Sequence, residues 1–347
     1  MRAAAGLLSL VAFGAAFVAS TAGVRAVAGG SDSHDSRREV KFREWAEHRD
    51  EFDTLFIGSS RTFRGFDPVL FDELMAEAGR PTRSFNFGIP GARIMETDRV
   101  LERVVKLRPE GLRLIVLGPE RLPILLSDQN ALTRPVIDWH DLERTRLVCS
   151  YAMDREDNQE KLWAILEPHL VAAFYNLIGA GRALAYVDAW MGAQADEEWV
   201  LETLGPLRDG FPPKDHFGPR NRKFRRNIED YLDILEAYGA RPLEPGPPAP
   251  QALEMFDLMR ARAEAAGIQL VFVTQPALYL EDDLIKASEA GLVEPVLRYD
   301  DPAIVPELYA PDHRFDANHL NNGGAKLFTR LLVRDLLPLL ETAEEKP

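Results

Sequence analysis

The chain has one cysteine, Cys149, among 347 residues. A single thiol excludes an internal disulfide framework and any multi-cysteine metal site. No paired histidine motif surrounds Cys149, so it reads as a small core residue and not as a catalytic thiol. Positive charge is also scarce: 41 Lys and Arg stand against 55 Asp and Glu, a net charge of −14. That balance argues against a broad electrostatic grip on nucleic acid phosphates, so no nucleic-acid partner is expected. No internal repeat is found, which removes solenoids and propellers. What is present, 46% hydrophobic residues, suffices for one substantial domain with an insertion or for two domains.

Charge is missing altogether from Ala3 to Val24, between Arg2 and Arg25. A run of this length can span a bilayer as a helix, which needs about 20 residues. It can equally be a signal peptide, residues 1–28, with Ala26-Val27-Ala28 as a small-residue cleavage site. Its length favours an uncleaved membrane anchor, and either reading places the rest of the protein outside the cytoplasm, on a periplasmic or extracellular face. Residues 29–39, polar and unpatterned, read as a tether.

The stretch that organises the rest is Asp53-Thr-Leu-Phe-Ile-Gly-Ser-Ser-Arg-Thr-Phe-Arg64. Thr54 to Ile57 suit a short strand buried on both faces. The run stops at Gly58, two serines follow, and Asp67-Pro68 opens a helix as N-cap and first helical residue. Its apolar stripe is Val69, Leu70, Leu74 and Met75, and Gly79 closes it. Further strands are expected at 84–88, 112–117 and 269–274, with helices at 40–52, 94–107 and 251–266 between them. This alternation argues for parallel βαβ units.

Residues 127–250 break the pattern and read as a mostly helical insertion or cap, with helices at 161–178 and 226–238 and a stiff proline-rich connector at 241–250. Trp163, Phe174 and Tyr175 fall at helical spacing and are expected in its core. Asp138-Trp-His-Asp141 reads as a loop, and the basic run Arg220 to Arg226 as a solvated helix start. Residues 277–311 look irregular, and a final helix covers 322–340. Residues 40–126 and 251–341 thus form two parts of one sheet domain.

A hydroxyl at a strand's carboxyl end sits where open α/β folds place their chemistry. It becomes a nucleophile only beside a base that a third group orients. Asp316-Ala-Asn-His319 supplies both: an Asp three residues before a His can fold its carboxylate onto Nδ1–H and leave Nε2 facing the serine. Backbone N–H donors for a developing oxyanion are available at the Ser60 turn and at Gly91, if strands two, one and three lie side by side in that order. Asp312, His313, Asp316 and His319 also have the chemistry of a zinc cluster, but Asp316 and His319 are accounted for without a metal. The arginines Arg61, Arg64, Arg93 and Arg121 follow strand ends and would suit an anionic substrate.

Gly58-Ser59-Ser60, Asn86-Phe-Gly-Ile-Pro-Gly91 and Asp316-x-x-His319 resemble the first, second and last motif blocks of the SGNH/GDSL hydrolases. The resemblance covers roughly residues 53–121 and 250–340. It implies a nucleophile at Ser60, an oxyanion glycine at Gly91, and an acid and base at Asp316 and His319. Ser59 stands where most members carry Asp, as in exported, membrane-anchored relatives acting on envelope polymers. Glu120, in Gly118-Pro-Glu120, stands where the third block usually supplies an Asn donor; an ionised carboxylate only accepts hydrogen bonds. Alternation and resemblance together give an α/β fold, a flavodoxin-like three-layer α/β/α arrangement with a mostly parallel sheet and a helical insertion. The implied activity is an exported serine esterase acting on an acyl ester of an envelope glycan or lipid, with Arg61, Arg93, Glu120 and Arg121 near the substrate. No cofactor or metal is needed. The alternatives are an envelope O-acyltransferase using the same residues and a non-catalytic scaffold of the same fold.

Overall fold

The computed structural model describes Ser20 and residues 36–122, 125–126, 131–179, 196–213, 219–239, 241–278 and 282–344. Apart from Ser20, the charge-free run 3–24 lies outside these, as does the small-residue site at 26–28. Among the described residues no helix is long and apolar enough to cross a membrane.

Among the described residues, five strands form an all-parallel sheet in the order β2-β1-β3-β4-β5: β1 Thr54–Gly58, β2 Ser84–Gly88, β3 Leu114–Gly118, β4 Gln269–Thr274 and β5 Val296–Arg298. Every residue of β1, β2 and β3 is buried, as expected of strands covered on both faces. Alternation divides their side chains between two cores. Phe56, Val116, Val271 and Val273 pack with Phe71, Met75, Phe328 and Leu332, from the helices Pro68–Glu77 and Asn322–Glu344. The helices Ile94–Lys106 and Pro250–Ala265 pack on the sheet and on each other; Phe256 meets Phe272 of β4 edge-on at 5.6 Å. The chain is therefore α/β with a three-layer, flavodoxin-like arrangement.

By their contacts, residues 41–122 and 197–347 form one unit and residues 1–40 and 123–196 another. The break falls at 196/197 and not at 250, because the segment after Asp196 is bonded into the sheet unit. The Asn86 N–H on β2 donates to Asp209 O at 2.8 Å, and buried Lys41 Nζ bridges Asn86 O and Gly210 O at 2.6 and 2.7 Å. In the smaller unit the helices Arg134–Trp139, Leu142–Met153 and Gln159–Leu177 pack together. His140 Nε2 and His169 Nδ1 lie 2.9 Å apart inside it.

Several expectations are corrected. Asp138 to Asp141 is not all loop: Asp138 and Trp139 end the helix Arg134–Trp139, and Asp141 caps the next. Trp163 and Phe174 are more than half exposed, because Gln159–Leu177 buries the face bearing His169, Ala172 and Asn176 instead. Val69 is likewise exposed; Phe71 and Met75 carry the buried face of their helix. The basic run forms its own helix, Pro219–Arg226, separated at Asn227 from Ile228–Gly239. Residues 277–311 hold a short helix, Asp282–Glu289, the edge strand β5 and the turn of helix Pro306–Tyr309. At three half-buried residues, β5 is too short to show a period.

Candidate active site

The carboxyl ends of the three leftmost strands are in register: Gly58 of β1 pairs with Gly88 of β2 and with Gly118 of β3. The short helix Ser60–Gly65 crosses directly over them. A Cβ at Gly58 would lie 2.1 Å from Thr62 Oγ1, one at Gly88 would lie 2.2 Å from Phe63 N, and one at Gly118 would lie 2.7 Å from Gln275 Nε2. Gly58 and Gly88 are thus the condition for this approach, and Gly118 leaves room for the Gln275 side chain. Side chains then pin the helix. Asn86 Nδ2 donates to Thr62 O and Phe66 O, both at 2.8 Å, while its Oδ1 accepts from Gly88 N; Gln275 Nε2 donates to Thr62 Oγ1 at 2.6 Å. Ser59 is the helix N-cap, its Oγ accepting from Arg61 N, which directs the two serines differently: Ser59 is buried and Ser60 half-buried.

Ser60 Oγ lies 2.8 Å from His319 Nε2, and His319 Nδ1 lies 2.8 Å from Asp316 Oδ1. The pair sits on a two-strand hairpin, β6 Arg314–Asp316 with β7 His319–Leu320, in which Asp316 is paired with His319 across a register shift. The Asn318 N–H donates to Asp316 Oδ1 at 2.9 Å. Fully buried Arg314 holds the hairpin from below, donating to Ala317 O at 2.6 Å and to Pro276 O and Leu308 O. Burial pushes the Asp316 carboxyl up; the His319 hydrogen bond and charge, the Asn318 N–H and the Arg64 guanidinium outweigh it, lowering the group to about 2. Asp316 is therefore an anion at neutral pH, oriented to hold a proton on His319 Nδ1.

Donors for a developing negative charge are backbone groups. Ser60 is the first residue of its helix, so its N–H has no acceptor within the helix. Gly91, at φ +83, is exposed after β2 with open space around its α-carbon. Glu120 is engaged elsewhere: its Oε1 accepts from Arg61 Nη2 at 2.5 Å and from Arg61 Nε at 3.1 Å. Arg61 is thereby withdrawn from the role of an open substrate contact, being 6% exposed. Arg93 is an exposed helix N-cap residue whose N–H donates to Glu96, and Arg121 is exposed. Arg64 stacks on the Phe315 ring at 4.4 Å, beside the hairpin. Of the residues with zinc-like chemistry, Asp312 pairs with Arg225 and His313 donates from Nδ1 to Glu307 O, so the four do not converge.

A hydroxyl, an imidazole and a carboxylate in hydrogen-bonded series, with the Ser60 amide at the start of its helix, can form and break an acyl–oxygen bond. No protein-family model matches the chain, and no curated protein matches it in sequence. Sequence reasoning missed the braces Asn86, Gln275 and Arg314. Asn86 was visible as part of the second motif block but not as a brace, Gln275 only as the residue after β4, and Arg314 only as one of the charged residues before Asp316.

Proposed function

We propose that the protein is an SGNH-like serine esterase that cleaves an acyl ester of an envelope glycan or lipid, and that it works outside the cytoplasm. The observation that carries this reading is the unbroken series from Ser60 Oγ through His319 to Asp316, each link 2.8 Å long. In the first half-reaction His319 Nε2 takes the Ser60 proton as Oγ bonds to the ester carbonyl carbon. The carbonyl oxygen becomes an oxyanion, met by the Ser60 and Gly91 amides. As the oxyanion collapses, the alkoxide leaves with the proton from His319, and Ser60 is acylated. Water then repeats the sequence and releases the acid. A sugar hydroxyl in place of that water would make the same residues an acyltransferase.

The Arg61–Glu120 pair, occupying the segment that usually supplies a third donor, supports a lower rate than a complete oxyanion hole gives. Loss of one donor costs roughly 10²–10³-fold in comparable sites. The test is turnover of small acyl esters by the wild type and Ser60→Ala. Wild-type hydrolysis is expected to vanish in the variant with its melting temperature unchanged. Equal turnover by both proteins would refute the reading.

A further inference from the structure

The basic helix Pro219–Arg226 has no part in the mechanism above, yet it is built onto the catalytic hairpin. Asn221, 2% exposed, donates from Nδ2 to Phe315 O at 2.9 Å, one residue before Asp316. Arg225 pairs with Asp312 at 3.2 Å, and Phe224 is buried against Tyr231 at 5.1 Å. These three residues form one face. At about 100° per residue, Arg222, Lys223 and Arg226 fall together on the opposite face. All three are exposed, and none has a carboxylate partner among the described residues.

Three cations on one face, two of them four residues apart, repel one another and weaken an isolated helix. The negative end of the helix dipole offsets this for Lys223 and Arg226, in the last turn, but not for Arg222 or for exposed Arg220. On a chain of net charge −14 this is a local concentration of exposed positive charge.

We infer that this face binds an acidic polysaccharide and leads it to the Ser60 site. Guanidinium groups suit repeated carboxylates, which they bind through two parallel hydrogen bonds. A membrane surface fits less well, because the helix buries its only large apolar side chain, Phe224, and presents nothing to insert between lipids. Nucleic acid fits less well because Phe224 and Phe315 are both buried, leaving no aromatic platform for bases. Phe315 joins the two parts: its carbonyl accepts from Asn221 of the basic helix, and its ring carries Arg64 beside the catalytic hairpin. This substrate class rests on the esterase reading for what happens at Ser60, but binding itself does not.

The test uses the full chain and the triple variant Arg222→Ala/Lys223→Ala/Arg226→Ala, with polygalacturonate as the acidic polymer, dextran as the neutral one, and anionic phosphatidylserine vesicles as the membrane arm. Wild type is expected to bind polygalacturonate and not dextran, with affinity falling as salt rises. The triple variant is expected to bind it ~10-fold or more weakly, with a flatter salt dependence. Ser60 labelling by a fluorophosphonate and small-ester turnover should match wild type in the variant, since none of the three residues touches the site. Polygalacturonate binding unchanged by the triple substitution, or binding to vesicles alone, would overturn the inference. Loss of Ser60 labelling in wild type with polymer binding intact would sink the esterase reading and leave the binding face standing.

Discussion

Ser60 and His319 are separated by 259 positions in the chain and by 2.8 Å in the fold. What makes the contact usable is Asp316, kept ionised although it is largely buried. Replacing it by Asn removes the charge and lets the amide select the wrong imidazole tautomer, so ester kcat for Asp316→Asn should fall about 10⁴-fold. The same carboxylate contributes to stability with a definite sign. Its folded pKa is lowered from 3.8 to about 2, so its contribution is present above 3.8 and disappears as the pH falls through 2. Thermal melts of wild type and Asp316→Asn should differ above about pH 4 and converge towards pH 2. Glu120 makes a different prediction. Its loss in Glu120→Ala leaves buried Arg61 without its carboxylate partner and should destabilise the fold by about 3 kcal/mol in urea melts. The double variant Arg61→Met/Glu120→Leu should recover most of that loss.

At the scale of elements, the site depends on a helix lying against strand ends. Gly88→Ala places a methyl 2.2 Å from Phe63 N, where neither backbone can yield, so a loss of about 3 kcal/mol in chemical denaturation is expected. Gly79→Ala is the control: at φ +78 with open space around it, it should cost about 1 kcal/mol of backbone strain. Here the sequence was legible where local chemistry and long-range packing agree. Asp67-Pro68 announced a helix start, and Thr54 to Ile57 and Gln269 to Thr274 announced buried strands, because burial on both faces leaves an apolar run. Asp316-x-x-His319 pointed to a site because three positions are enough for a carboxylate to fold onto its imidazole. It was not legible where partners lie far along the chain. Nothing near Glu120 foretold Arg61 as its partner, and nothing local to Trp163 or Phe174 told which face of their helix is covered. β5 was lost because three half-buried edge residues carry no period.

At the scale of the whole molecule, the helices and loops after Glu197 act as an integral wall of the sheet unit. Asp209 is the sign of that integration. It lies against the edge strand, where burial above all pushes its carboxyl up from 3.8 to about 6. An acid with a raised folded pKa stabilises most below its unfolded value and loses that contribution as the pH rises through the folded one. Wild-type stability should therefore drop between pH 4 and pH 6 by this route. Asp209→Asn, which keeps the acceptor for the Phe211 N–H, should match wild type near pH 4 and melt a few degrees higher at pH 7. The same unit holds the Ser60–His319–Asp316 series, the strand-end glycines and the basic helix, which is tied to the hairpin through Asn221 and Phe315. An activated Ser60 should react with an electrophile that ordinary serines ignore, which adduct mapping detects. The folded protein is treated with a fluorophosphonate, digested, and its peptides weighed. One adduct on Ser60 is expected, absent from Ser60→Ala and strongly reduced in His319→Ala. A folded wild type that takes no label at Ser60, or takes it equally well without His319, would contradict the account.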